Sequence, residues 1–168
     1  LVGTEPSAIL GFRDEFPELV GKDMKEQATR LSKNALMIEE FLMEAFKKKQ
    51  FTNEVFTKSA QHIKLHGHCQ QKAVASTRAT LELLALPDNY TVEEIPSGCC
   101  GMAGSFGYEK EHYDVAMKVG ELVLFPAVRQ SEEGTLIAAP GTSCRHQIRD
   151  GTGTRAWHPV EILYEALI

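Results

Sequence analysis

Short apolar runs, each followed by a turn and a helical segment, recur through the second half of the chain. In residues 61–65, Ile63 and Leu65 fall on one face, and residues 91–95 and 135–139 form similar runs. Side chains of a β-strand point alternately to the two faces of its sheet, so such runs are typical of strands. Three strand–turn–helix units in succession predict an α/β fold of βαβ repeats with a parallel sheet.

The segments between the predicted strands carry apolar residues at helical spacing. Helices are predicted over residues 70–86 and 108–130, from about Cys144 onward, and over residues 160–167. Pro159 precedes the last of these, at a position where the first turn of a helix tolerates proline. Turns rich in glycine and proline separate the helices from the strands.

A different pattern occupies the first third of the chain. From Met24, apolar residues recur at steps of three and four, which predicts one long amphipathic helix that ends at the lysines of residues 47–49. We expect this to be a packing helix whose lysine end faces solvent. The apolar positions that define it are Ala28, Leu31, Ala35, Ile38, Leu42 and Ala45.

A weak internal repeat suggests how the chain is divided. Residues 1–8 resemble residues 136–144, because in both a short apolar strand enters a proline-containing turn and then a helix. The chain also lacks an initial methionine and opens in an apparent strand, so we expect a piece of a longer protein. Residues 1–56 are predicted to hold the end of a preceding incomplete repeat and the long helix, and residues 57–168 a cysteine-rich domain.

The composition narrows the function classes. The 168 residues carry a net charge of −5 and no basic stripe, which argues against binding nucleic acid through its phosphates. No apolar run approaches the roughly 20 residues of a membrane span, and no secretory signal is visible. We therefore expect a cytoplasmic location, with membrane association only through a larger complex. Four cysteines in an acidic chain favour a metal or redox site over a disulfide framework.

The cysteines all follow predicted strands. Cys99 and Cys100 are adjacent and lie among four glycines in residues 97–107, while Cys69 and Cys144 follow the other two strands. A glycine-rich turn before a helix presents backbone N–H groups, which stabilise thiolates and bound anions. Because sites in open parallel sheets form outside the carboxyl ends of the strands, we expect the four thiols to converge at one sheet edge.

Four converging thiolates are the usual donor set of a [4Fe–4S] cluster and also of structural zinc. Structural zinc sites usually draw on C-x-x-C pairs, and here Gly141 stands where the first cysteine of such a pair would be. Adjacent cysteines suit a cluster with several irons better than one tetrahedral ion. We favour an iron–sulfur cluster and keep zinc as the alternative. Residues expected around these ligands, without binding the metal themselves, are His66, His68, Gly98, Gly101 and His146.

Taken together, these motifs resemble the cysteine-rich CCG domain. That family occurs in one of the subunits of heterodisulfide reductase and in iron–sulfur subunits of glycolate, lactate and anaerobic glycerol-3-phosphate dehydrogenases. It also forms the C-terminal iron–sulfur part of FAD-linked 2-hydroxy-acid oxidases, the type this chain resembles most over residues 61–168. The motifs that carry the resemblance are His66-Gly67-His68-Cys69 with Lys72, the segment 98–107, the segment 142–148 and His158-Pro159.

The resemblance implies a Rossmann-like domain in which Cys69, Cys99, Cys100 and Cys144 bind an iron–sulfur cluster. It also implies an electron-transfer role beside a flavin-containing domain and a preceding cysteine-rich domain, in the oxidation of a 2-hydroxy acid such as lactate or glycolate. FAD would be bound by the parent protein, because this chain has no dinucleotide fingerprint and is not expected to be catalytic alone. Ala8 replaces the cysteine often found in the preceding copy.

Three other interpretations remain open at the level of sequence. The chain could be a structural zinc module. It could be a thiol–disulfide, or heterodisulfide, redox domain that uses Cys99 with either Cys100 or Cys69. It could also be a degenerate copy that only packs against its partner.

Overall fold

A four-stranded parallel sheet forms the centre of the computed structural model, which describes residues 1–168. The strands stand in the order β4-β3-β5-β6, and a separate parallel pair, β1 with β2, lies in the N-terminal part. The α/β fold with a parallel sheet is therefore confirmed. The strands are β1 Val2–Gly3, β2 Leu36–Met37, β3 Gln61–Leu65, β4 Tyr90–Glu94, β5 Leu136–Ala138 and β6 Ala156–Trp157.

Ten α-helices surround the two sheets. None of them has the length and apolar character needed to cross a bilayer. In the N-terminal part they are α1 Pro6–Ile9, α2 Glu15–Leu19, α3 Lys25–Ser32 and α4 Ile38–Lys47. In the rest of the chain they are α5 Cys69–Val74, α6 Arg78–Leu84, α7 Tyr113–Leu122, α8 Leu124–Arg129, α9 Thr142–Thr152 and α10 Pro159–Glu165.

The single long helix predicted from Met24 to residues 47–49 is wrong. Two helices, α3 and α4, occupy that stretch, and β2 separates them. The extended segment pairs in parallel with β1, where Val2 lies opposite Leu36. Apolar spacing continues through the break because Ala35 and Met37 are fully buried in the extended segment. Spacing alone therefore could not distinguish the extended residues from a helical turn.

Two other predicted helices are also divided. Residues 70–86 form α5 and α6, with a break at Ala75. Residues 108–130 form α7 and α8, and the backbone at Val123 leaves the helical region between them. Pro126 lies in the first turn of α8, where its missing N–H is tolerated, whereas it could not continue α7 without losing a hydrogen bond.

Two apolar layers enclose the main sheet. One layer contains Phe125 of α8 and Ile148 of α9, and the other contains Leu83 of α6 and Ile162 of α10. Consecutive residues of β5 enter opposite layers, as the alternation of side chains along a strand requires. Helices on both faces of a parallel sheet are typical of doubly wound α/β folds.

The N-terminal part packs directly onto the sheet domain. Ile9 and Leu10 form a small core with Ala35 and Met37, and Val74 of α5 packs against it. At the other end of the chain, the N–H of Ile168 donates to the carbonyl of Val55 at 3.1 Å. The division into residues 1–56 and 57–168 stays a prediction.

Candidate metal centre

The cysteines lie at the carboxyl edge of the main sheet, where the chain reverses its direction of winding. The chain leads from β3 outward to β4 and then returns to β5 on the other side of β3. A crevice forms at such a reversal, outside the carboxyl ends of the two central strands. Cys69 begins α5 after β3, and Cys144 lies in the first turn of α9 after β5. Cys99 and Cys100 lie in the loop after β4.

The four thiols contact one another in succession. The Cys69 thiol contacts that of Cys99, Cys99 contacts Cys100, and Cys100 contacts Cys144. Cys69 is exposed, Cys99 is half-buried, and Cys100 and Cys144 are buried. The line therefore runs from the surface into the interior, and the structure brings together all four cysteines that the sequence singled out.

The pKa values of the four thiols are shifted in opposite directions. Contact with the Cys100 and Cys69 thiols holds the pKa of Cys99 far below its usual range. Contact with Cys100 lowers the pKa of Cys144 to about 5, despite burial. The pKa values of Cys69 and Cys100 are raised, first by their contacts with neighbouring sulfurs and then by burial. These contacts therefore favour the thiolate form at Cys99 and Cys144 and the protonated form at Cys69 and Cys100.

Backbone N–H groups of the glycine loop add to the stabilisation of the sulfurs. The N–H of Gly101 donates to the Sγ atom of Cys99 at 3.3 Å, and the N–H of Ala103 also lowers the pKa of that thiol. Gly101 and Ala103 have φ angles of 104° and 42°, so the loop turns its N–H groups inward, as in anion-binding nests. The loop is thus built to hold negative charge.

The two predicted loop glycines differ in what the structure requires of them. A Cβ atom on Gly101 would lie 2.1 Å from the carbonyl oxygen of Ala116 in α7, and its positive φ already disfavours other residues. A Cβ atom on Gly98 would meet nothing within 4 Å. Only Gly101 has a steric reason to be glycine.

His66 reaches the thiol group from the end of β3. Its side chain is fully buried, and its Nδ1 atom lies 2.7 Å from the hydroxyl oxygen of Ser97. Its Nε2 atom is buried and has no hydrogen-bond partner. A ring nitrogen of His66 and the sulfurs of Cys100 and Cys144 all lie within 4.8 Å of one another, so these three residues could hold a metal ion.

The other two histidines have different surroundings. The Nδ1 atom of His68 accepts a hydrogen bond from the N–H of Gln70 at 3.2 Å and so caps α5. Its ring lies against Gly141, where a Cβ atom would come within 2.4 Å of the ring carbon Cδ2. This packing accounts for glycine at that position. His146 is exposed, and its Nδ1 atom lies 2.8 Å from the hydroxyl of Tyr108.

Sequence reasoning missed two residues that shape the site. Ser97 orients His66, and its carbonyl accepts a hydrogen bond from the Nζ atom of Lys72 at 2.6 Å. Glu5, from the N-terminal turn, accepts a hydrogen bond from the N–H of Thr142 at the start of α9. Both roles depend on contacts between distant parts of the chain, and no local motif indicates either one.

The donors fit a thiolate-bound metal centre. Four sulfurs in contact, inward-turned N–H groups and an unpaired buried imidazole nitrogen supply both ligands and charge stabilisation. Metal binding replaces thiol protons, and two of these thiols already favour the thiolate form. The same set of sulfurs suits zinc and an iron–sulfur cluster.

Comparison with known proteins relates the chain to dehydrogenases. It is 29% identical over 168 residues to D-2-hydroxyglutarate dehydrogenase of Escherichia coli K12, and 27% identical over 168 residues to that of Pantoea ananatis. It is 27% identical over 171 residues to one of the subunits of anaerobic glycerol-3-phosphate dehydrogenase from Escherichia coli K12. In each case 99% of this chain is covered.

The chain spans only part of these relatives, namely 15% of the length of the first two and 40% of the third. No protein-family model matches the chain, and no solved structure matches it. The similarity to part of an anaerobic glycerol-3-phosphate dehydrogenase agrees with the resemblance noted from the sequence. Assignment to the CCG family itself stays a prediction.

Proposed function

We propose that this chain is the electron-transfer domain of a larger flavin-linked oxidoreductase. In this proposal one iron–sulfur cluster, of the [4Fe–4S] type, is held by Cys69, Cys99, Cys100 and Cys144. The cluster would accept and release electrons one at a time. The chain's own residues would bind it, stabilise its negative charge and limit the access of water.

The observation that carries this proposal is the line of contacts among thiols from three separate strand–helix turns. A core does not need such an arrangement, because buried cysteines ordinarily pack as isolated small apolar residues. The inward-turned N–H groups at Cys99 add a second reason, since a purely apolar loop has no use for them.

The adjacent cysteines Cys99 and Cys100 are the reason to prefer a cluster, because its several irons can accept both sulfurs, whereas one tetrahedral ion suits neighbouring side chains poorly. Zinc is the second candidate, because His66, Cys100 and Cys144 form a compact buried group of three donors. The two candidates differ in inorganic sulfide, which only the cluster contains.

Charged groups around the thiols are suited to a cluster bound by thiolates. Lys72 lies beside the cysteine loop, where its Nζ atom donates to the carbonyl of Ser97. The Nη1 atom of Arg145, next to Cys144, donates to the carbonyls of Ala139 and Pro140 at 2.9 and 2.7 Å. These bonds hold both cations in place near the cysteines, and Lys72 also pairs with Glu94 at 3.6 Å.

The flavin and the substrate would belong to the rest of the parent protein. The two D-2-hydroxyglutarate dehydrogenases are named for a 2-hydroxy acid, the substrate class that the sequence resemblance implies. We therefore propose a 2-hydroxy acid as the electron source, with lactate, glycolate and 2-hydroxyglutarate as the compounds to test. The proposed location is cytoplasmic, peripheral to a membrane where the complex includes a membrane partner.

The test is anaerobic mixing of the full-length protein with each 2-hydroxy acid, and with glycerol 3-phosphate for comparison. Flavin reduction is followed by its absorbance, and cluster reduction by electron paramagnetic resonance (EPR). The proposal expects both to be reduced by one of these compounds. In Cys99→Ala the flavin should still be reduced, but electron delivery to an external acceptor should fall, while the exposed Lys118→Ala variant should match the wild type. A cluster that stays oxidised beside reduced flavin would contradict the proposal.

A further inference from the structure

The geometry points to His66 as a fifth protein ligand of this centre, bound through its Nε2 atom. Sequence reasoning placed this histidine among the neighbours of the ligands. The assignment rests on the proposed function, because it concerns the same group of thiols.

His66 has one ring nitrogen without a partner. His66 is fully buried, its Nδ1 atom is engaged by Ser97, and its Nε2 atom has no partner. Leaving a buried polar atom without a hydrogen bond costs about 1–3 kcal/mol, so folded proteins seldom do it. A metal ligand bond satisfies that atom.

His66 also lies close to two of the sulfurs. A ring nitrogen of His66 and the sulfurs of Cys100 and Cys144 lie within 4.8 Å of one another. Two ligands of one metal at roughly 2.0–2.3 Å bond lengths stand about 3.5 Å apart in a tetrahedral arrangement. The observed spacing is therefore at most about 1.3 Å wider than that of two ligands on one metal.

The contacts of Ser97 favour the tautomer of His66 that leaves a lone pair on Nε2. The Ser97 hydroxyl is buried and lies 3.5 Å from the carbonyl oxygen of Ile95, to which it can donate its hydrogen. It then accepts a hydrogen bond from the Nδ1–H group of His66 at 2.7 Å. That tautomer leaves the lone pair on Nε2, and metal-bound histidines commonly donate their other N–H in this way.

His68 provides the contrast. It is also buried beside the thiols, but its Nδ1 atom is the cap acceptor of α5 and its ring packs against Gly141. Gly141 stands where the first cysteine of a C-x-x-C pair would be, and the space beside it is filled by the His68 ring. The same ring caps α5. His66 is the histidine whose fully buried Nε2 atom has no partner and whose ring lies with the sulfurs of Cys100 and Cys144.

The test uses the full-length protein, purified without oxygen, carrying ¹⁵N-labelled histidine and reduced to a paramagnetic state. Pulsed EPR should detect a strong coupling from a directly bound ¹⁵N in the wild type. The coupling should be lost in His66→Gln and retained in His68→Asn, in which asparagine keeps the cap acceptor. His66→Cys should retain iron better than His66→Gln, with no nitrogen coupling.

Each outcome bears on one claim. Iron and sulfide without a directly bound nitrogen would overturn the His66 assignment and leave the proposed function standing. A weak coupling that accompanies an exchangeable proton on the ring would also overturn it, since the imidazole would then be donating a hydrogen bond to sulfur. Zinc without sulfide would overturn the cluster, and X-ray absorption would then test for a nitrogen at about 2.0–2.1 Å from the zinc.

Discussion

The carboxylate of Glu5 accepts a hydrogen bond from the backbone N–H of Thr142 at 2.8 Å, across 137 residues of chain. Thr142 begins α9, the helix that carries Cys144 in its first turn. The start of a helix has N–H groups without intrahelical partners, and here a residue from the N-terminal turn satisfies one of them. The segment that resembles the tail of an earlier repeat therefore supports the helix that carries one of the cysteines.

Removing this support should destabilise the chain. Glu5→Ala is expected to lower the free energy of unfolding by about 1 kcal/mol, as loss of a helix-capping side chain commonly does. Urea denaturation at neutral pH measures the change. Glu5→Gln keeps an acceptor oxygen and should lose less, so equal losses in the two variants would contradict a capping role.

The same contact makes stability depend on acidity. Burial alone would raise the pKa of Glu5, but hydrogen bonds from Thr142 and Ser7 outweigh it and leave the pKa below its usual value. A carboxyl with a lowered pKa stabilises the fold while ionised, and that stability is lost as the pH falls through the folded-state pKa. The difference in the free energy of unfolding between wild type and Glu5→Ala should therefore become smaller at acidic pH. A difference in unfolding free energy that stays constant from neutral pH down to about pH 3 would contradict a stabilising, lowered pKa at Glu5.

Glu39 in α4 should show the opposite dependence. Its side chain is fully buried, its carboxylate oxygens have no hydrogen-bond partner, and burial raises its pKa to about 7. The folded state then holds a proton that the unfolded state releases near pH 4.5, so stability falls as the pH rises through that window. Glu39→Gln removes this loss and should be more stable than wild type at pH 8 by up to about 3 kcal/mol.

The measurement for Glu39 is thermal or urea unfolding at about pH 5 and about pH 8, on either side of the raised pKa. The stabilisation by Glu39→Gln should grow between these two values. Glu44→Gln is the control, because Glu44 lies on the same helix with an exposed side chain that pairs with Lys48. His158, whose Nε2 atom lies 3.8 Å from Glu39, also faces the carboxyl, and its own pKa is lowered by burial. A stabilisation by Glu39→Gln that is the same at both pH values would contradict a raised pKa of Glu39.

The two glycines of the cysteine loop should respond unequally to alanine. Gly101→Ala forces a Cβ atom against the Ala116 carbonyl at a positive φ, and it should cost about 3 kcal/mol or more and reduce metal content. Gly98→Ala meets no atom within 4 Å and should retain both stability and metal. Denaturation and metal analysis of the two variants test this, and similar behaviour would contradict the loop geometry.

Much of the sheet was accessible from the sequence, because apolar runs followed by turns mark β3, β4 and β5. The division of the predicted long helix into α3 and α4 was not accessible from the sequence. The extended segment that holds Met37 separates these helices, and it forms only because it pairs with β1. Apolar spacing reports burial, and buried residues of a strand and a helix gave the same pattern there. Pairing with a strand far away in the chain makes this segment extended instead of helical.

The residues of the site also fall into two groups, those that the sequence indicates and those that only the folded structure shows. The cysteines were recognisable because each follows a strand, and topology alone then brings them to one edge. Ser97 was not recognisable, because its role depends on facing His66 from 31 residues away. Glu5 carried no local signal either. Ligand-type residues can thus be found by their chemistry, whereas residues that orient them are found only once the chain is folded.

Iron and acid-labile sulfide in the full-length protein, purified without oxygen, test the central claim most directly. The account predicts iron and sulfide in matching amounts in the wild type, with both lost from the part of the protein that contains this chain in Cys100→Ala and Cys144→Ala. Lys118→Ala should keep the wild-type content. Zinc without sulfide, or iron and sulfide unchanged when both buried cysteines are replaced, would contradict it.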